Sequence, residues 1–116
     1  MGVGMQIACL GFAATAAVEA EAGAQLVRIE RFRALIDGCY LAIEASADAG
    51  GVRVYDVRLD LVTHDTARWP LPPCVGGNLD DALRRAFMQA EQALLACQAA
   101  GARVGLRNAA ADGAVR

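Results

Sequence analysis

The chain has 116 residues, 56% of them apolar, and a formal charge of −2, with all 11 basic residues arginine. That length gives one domain able to bury a core without disulfide or metal staples. The mildly acidic total argues against indiscriminate nucleic-acid binding, which goes with a basic domain. The uncharged opening, Met1 to Val18, contains glycines, Gln6 and Thr15, so it is not the run of about 20 apolar residues that spans a bilayer. It also lacks the basic start of a secretory signal. A cytoplasmic protein without membrane contact is expected.

Residues 5–12, "MQIACLGF", alternate loosely and end at Gly11, which predicts a short first strand. Thr15 is placed to cap a helix, its hydroxyl accepting from a backbone N–H one turn on. Val18, Ala22, Leu26, Ile29 and Phe32 then recur at steps of three and four, one helical stripe. Glu19 and Glu21 fall towards its start and Arg28, Arg31 and Arg33 towards its end, as the helix dipole favours. Gly23 costs that helix about 1 kcal/mol relative to alanine.

Asp37-Gly38 breaks the pattern. Cys39, Leu41, Ile43 and Ala45 alternate with Tyr40, Ala42 and Glu44, a strand with one buried face. "ADAGG", residues 47–51, is a turn. "VRVYDVRLDLV", residues 52–62, places Tyr55, Val57, Leu59 and Leu61 on one face and Asp56, Arg58 and Asp60 on the other. The two strands form an antiparallel hairpin with one wet face. In "RWPLPPCVGG", prolines 70, 72 and 73 remove ladder donors and allow only an edge strand, broken at the prolines.

"NLDDALRRAFMQAEQALLACQ" predicts a second helix. Asn78 caps it, Asp80 and Asp81 suit its positive end, and Leu79, Leu83, Phe87, Ala90, Leu94 and Cys97 form its inward stripe. After Gly101 there is little to bury, so residues 1–102 are read as the single domain and 103–116 as a mobile tail. A helix between the first two strands makes them parallel neighbours joined by a right-handed crossover. The expectation is an α+β two-layer sandwich of order β-α-β-β-β-α, with both helices on one face of a four-stranded sheet.

Cys9, Cys39, Cys74 and Cys97 show no C-x-x-C spacing and the chain has one histidine, so no metal is expected. They read as reduced, mostly buried thiols. His64, at the end of the third strand, has no serine or cysteine nucleophile placed with it. Asp65 is the neighbour that would raise its pKa, but the roles of a catalytic constellation are unfilled and no enzyme or cofactor is expected. Trp69 is read as a rim residue closing the end of the core.

Arginine grips phosphate through a planar fork, and "RIERFR", residues 28–33, gathers three of them. "RIERF" looks like the basic-apolar-acidic-basic-aromatic helix end of the ribosome hibernation-promoting factor family, also called protein Y or RaiA. "IDGCYLAIEA" and "YDVRLDL" resemble that family's second and third strands, and "DDALRRAFMQAEQAL" its second helix. The resemblance covers residue 5 to about residue 100. It implies a double-stranded-RNA-binding-domain-like fold and a non-enzymatic factor that occupies the small ribosomal subunit where messenger and transfer RNA run, silencing translation under starvation or stress. The partner implied is the ribosomal RNA of that subunit, with no DNA.

Arg28, Arg31 and Arg84 stand where the family is basic. Arg58, Arg85, Arg33 and Arg53 have weaker claims to the same RNA contact. The bland reading is a set of solvated arginines, with Arg31 pairing to Glu30 or Asp37. Asp56, Glu91 and Gln92 depart from the family's basic pattern, as does the "ADAGG" turn. Those losses, the mild acidity and the alanine-rich second helix favour the alternative, a protein-interaction or homodimerisation module without RNA affinity. The chain is expected to be a short form, lacking the second domain that pairs ribosomes in longer members.

Overall fold

The computed structural model describes the backbone of residues 3–115 and the side chains of residues 3–100. The elements in chain order are β1 (Gly4–Leu10), α1 (Ala16–Glu30), β2 (Ile36–Ala47), β3 (Arg53–Thr63), β4 (Arg68–Pro70), β5 (Cys74–Gly76) and α2 (Leu79–Val115). They form the expected two-layer α+β sandwich, with β1 parallel to β2 and β3 antiparallel to β2.

The hairpin of β2 and β3 supplies the floor. Leu41 faces Leu59 and Ile43 faces Val57 in its register, and all four are buried. Its turn is fastened by Asp48, whose Oδ1 accepts from the backbone N–H of Gly50 and of Val52, each at 2.9 Å. Gly51 supplies the left-handed residue there, with φ of 80°. Gly11 does the same between β1 and α1, where a Cβ would stand 2.2 Å from the Ala45 carbonyl oxygen. No other residue fits that turn without moving a strand.

Both helices cover the same face. Val18, Ala22 and Ile29 of α1, with Phe32 just past its end, meet Ala82, Leu83, Ala86, Phe87, Ala90 and Leu94 of α2 in one core. Burying a side chain the size of Phe87 stabilises the fold by about 1.5–3 kcal/mol relative to leaving it in water. Thr15 caps α1 through Val18 N at 3.2 Å, and Asn78 caps α2 through Asp81 N at 2.9 Å. Arg28 and Glu91, each thirteen residues beyond its helix's cap, are in contact. Along α2, Arg85 bonds Val75 and Gln89 bonds the earlier Pro72, so α2 runs against β5 and hence, like the crossover helix α1, against β1 and β2.

Several expectations are corrected. α1 ends at Glu30, so Arg31 caps it and Arg33 lies in the following turn; Phe32 still reaches the core through that turn. β2 starts at Ile36, before Asp37-Gly38, and absorbs those residues in a register shift. The proline-bearing edge is two three-residue strands, β4 and β5, which both pair with β3. Between them, Leu71 donates to the Leu59 carbonyl at 3.1 Å. Cys97 is exposed and Cys9 half-buried, because among the described residues the core ends at Leu94 and β1 is an edge strand. α2 continues as helix past Gly101; the mobility expected for 103–116 falls on side chains outside the described residues. Trp69 is half-buried and packs against the core, as its size demands.

Candidate nucleic-acid interface

The helix layer carries the densest arginine grouping. On α1, Glu21 accepts from Gln25 at 2.9 Å, and Gln25 accepts from Arg28 Nε at 2.8 Å, a ladder of single-turn steps. That ladder holds Arg28 towards α2, where its Nη1 lies 3.4 Å from Glu91 Oε1. Arg31 reaches the other oxygen of Glu91 at 2.9 Å, and its guanidinium sits 4.7 Å from the centre of the Phe32 ring. Thus Arg31 pairs with neither Glu30 nor Asp37, and both arginines lean into the seam between the helices instead of away from it.

Arg84 lies two helical turns before Glu91, on the same side of α2 and about 10 Å along its axis. Its Nη2 meets Asp81 at 2.6 Å. Arg28, Arg31 and Arg84 therefore border one seam. Arg85 is turned to the other flank, where it donates to Asp81 at 2.9 Å and to the Val75 carbonyl of β5 at 2.9 Å. Arg33 stands exposed in the turn after α1 and meets no carboxylate among the described residues.

Two of the expected contacts lie elsewhere. Arg58 leaves β3 on the sheet face opposite the helices, paired with Asp56 at 3.3 Å. Arg53 has the strand parity of Tyr55 and Val57, so it stays on the helix side. Its guanidinium lies 6.0 Å from the Phe12 ring centre and 5.6 Å from that of Tyr55, and donates to the Gly11 carbonyl at 3.3 Å. The seven arginines thus fall on at least three surfaces and form no continuous cationic tract.

The acids that depart from the expected basic pattern are the ones that pair. Glu91 takes Arg28 and Arg31, and Asp56 takes Arg58. On the open sheet face Glu44 stands opposite Asp56 in the β2–β3 register. Asp60, on the same face, engages Arg68 at 3.6 Å. Carboxylates outnumber arginines there, and a polyanion would meet repulsion. The pairs along the helix seam are partly exposed, Arg28–Glu91 the least so and Arg84–Asp81 the most, and exposed ion pairs contribute about 1 kcal/mol or less.

Two features escaped the sequence reading. Arg68 lies over Tyr40 at 4.0 Å from the ring centre, a contact that spans β3 and depends on a strand order that local periodicity does not give. His64 contacts the Asp37 carboxylate through Nδ1 and the Ala34 carbonyl at 2.8 Å through Nε2. These contacts raise its pKa, with the hydrogen bond to Asp37 as the first cause. Asp65, the expected partner, instead accepts from Thr63 in its own turn, and its pKa is lowered chiefly by that bond. His64 fastens the β3–β4 turn to the α1–β2 turn and the start of β2.

No family model matches the sequence, and no curated protein matches it. Solved structures do. A ribosomal subunit interface protein from Coxiella burnetii superposes with a TM-score of 0.63 at 13% identity, covering 84% of this chain and 99% of that one. The N-terminal domain of Thermus thermophilus protein Y gives a TM-score of 0.57 at 17% identity, covering 81% of this chain and 96% of that domain. The chain is folded as those two proteins are.

Proposed function

We propose that this protein is a cytoplasmic, ribosome-associated translation-silencing factor that meets the ribosomal RNA of the small subunit through its helix layer. The observation that carries this reading is the likeness of fold, over most of both chains, to a ribosomal subunit interface protein and to a protein Y domain. Arg28, Arg31 and Arg84 make the contact from the seam between the helices, and Arg33 adds to it from the adjoining turn. Arg53 and Arg85 are tied to backbone carbonyls and contribute less, while Arg58 faces away. Such contacts follow the shape of the phosphate backbone more than base identity. The factor acts by occupancy, so it needs no catalytic group, metal or cofactor.

Cosedimentation of the purified protein with small subunits across a salt series tests this. Binding at low salt that fades steeply as salt rises is expected, because each arginine–phosphate contact releases counterions. Protein left wholly in the supernatant at low salt would sink the proposal. A second reading, a protein-interaction module without RNA affinity, is favoured by one specific observation: Glu91, Asp81 and Asp56 already occupy five of the seven arginines. It expects no pelleting with ribosomes at any salt concentration.

A further inference from the structure

The sheet's two edges are built differently. The β4/β5 edge is blunted in the ways that stop strands adding to it: two strands of three residues each, a charged residue in Arg68, and prolines at 70, 72 and 73. β1 has none of these. It runs seven residues, "GMQIACL", with no charge, no proline and an unbroken register against β2 from Gly4↔Gly38 to Leu10↔Glu44. Among the described residues no strand pairs with its outer side, which leaves a row of backbone N–H and C=O groups open.

The core is also unfinished along that edge. Cys39, Leu41 and Ile43 of β2 are 1–3% exposed, whereas Met5, Ile7 and Cys9, on the same face of β1, are only half-buried, as is Leu26 of α1 above them. An edge both unprotected and apolar needs a partner that brings strand hydrogen bonds and aliphatic surface together.

We propose that β1 pairs antiparallel with β1 of a second copy of this chain, about a two-fold axis at Ile7, to make one continuous sheet. An uncharged strand is its own complement, and a two-fold contact uses the same patch twice. This register sets Ile7 against Ile7, Met5 against Cys9 and Gln6 against Ala8, with no like charges opposed. It also sets Leu10, 63% exposed, against Gly4, where a Cβ would find nothing within 4 Å. The leucine fills the space the glycine leaves, once at each end. Glu19, whose charge acts on Cys9, is kept from its counterpart because the two Cys9 positions lie about 13 Å apart along paired strands. A ladder this short is small beside a standard interface of about 1,600 Å², so the dimer is a concentration-dependent one. The pairing rests on the edge alone and does not depend on ribosome binding.

Sedimentation velocity of the full chain under reducing conditions tests it. The sample should move from monomer at about 5 µM to dimer at about 500 µM, as a small interface implies. Gln6 and Ala8 are exposed on the open face and face each other across the axis, so charge there should not disturb the fold. A Gln6→Lys/Ala8→Lys variant and a Gln6→Glu/Ala8→Glu variant should each stay monomeric with unchanged circular dichroism. Their equimolar mixture should associate at least tenfold more tightly than either alone. A wild type monomeric at every concentration would overturn the proposal. So would association that survives the lysine pair, or a mixture that fails to recover it.

Discussion

Arg31 donates to Glu91 at 2.9 Å, and Arg28 reaches the same carboxylate at 3.4 Å, so one acidic side chain of α2 holds two cations from the end of α1. The arrangement both places the guanidiniums and masks them. Glu91→Gln keeps the shape of the side chain and removes the competing charge. The variant should bind small subunits or a folded RNA more tightly than wild type. The slope of log affinity against log salt should steepen by about one unit for each arginine that gains a phosphate. The loss of stability should stay within about 1 kcal/mol, because Arg31 is largely in water. Anisotropy titrations across a salt series measure this, and identical curves for variant and wild type would mean that the seam does not touch RNA.

The proposed RNA contact divides the arginines by position. Arg28, Arg31 and Arg84 border one seam, and Arg58 stands on the far side of the sheet beside Asp56. A triple Arg28→Gln/Arg31→Gln/Arg84→Gln variant should lose cosedimentation and flatten its salt dependence. Arg58→Gln should leave both close to wild type. All four side chains are on the surface, and unchanged thermal unfolding checks that the folds are intact. If Arg58→Gln proved as damaging as the triple variant, the assignment to the helix layer would be wrong.

Most of the fold was legible because its signals are local. The stripe Val18–Ala22–Ile29–Phe32 and the alternation Tyr55–Val57–Leu59–Leu61 each report one buried face, and Thr15 and Asn78 cap helices where their side chains allow. Pairings between distant segments were not legible. Nothing near residue 31 points to Glu91, sixty positions on, and nothing near His64 points to Asp37. Arg53 misled for a related reason. Its strand parity is that of the core, but at the strand's first residue the core has ended, and Phe12 and Tyr55 supply an aromatic seat instead. Electrostatic function depends on such long-range pairings, so the candidate site was less readable than the scaffold.

The cysteines should report the depth of the core. Cys39 is 3% exposed, and burial pushes its pKa up to about 12. Its thiolate is therefore scarce and shielded at about pH 8, near the ordinary thiol pKa. Cys97 lies beyond Leu94, the last buried residue of α2 among the described ones, and is open to solvent. With a thiol reagent such as DTNB, Cys97 should react in the first phase and Cys39 only on unfolding, as peptide mapping of the modified protein would show. Early labelling of Cys39 in the native protein would contradict the packing of β2 beneath the helices.

His64 gives the fold a pH dependence whose sign follows from its two acceptors. The imidazolium has two N–H donors and can serve Asp37 and the Ala34 carbonyl together, whereas the neutral ring has one. Its folded pKa is accordingly raised from the usual 6.5. The stabilisation is complete below that unfolded value and is lost as pH rises through the higher folded one. His64→Gln should therefore be less stable than wild type on the acid side of 6.5, and the gap should close towards about pH 9, where the ring is neutral. The chain has one histidine, so a single imidazole resonance reports the titration by NMR. Its midpoint should lie above 6.5 and fall in Asp37→Asn. The clasp spans the turn that carries Arg33 and follows Arg31, so its release on the alkaline side should also loosen that end of the arginine seam. A midpoint at or below 6.5 in the wild type would show that the clasp does not form in solution.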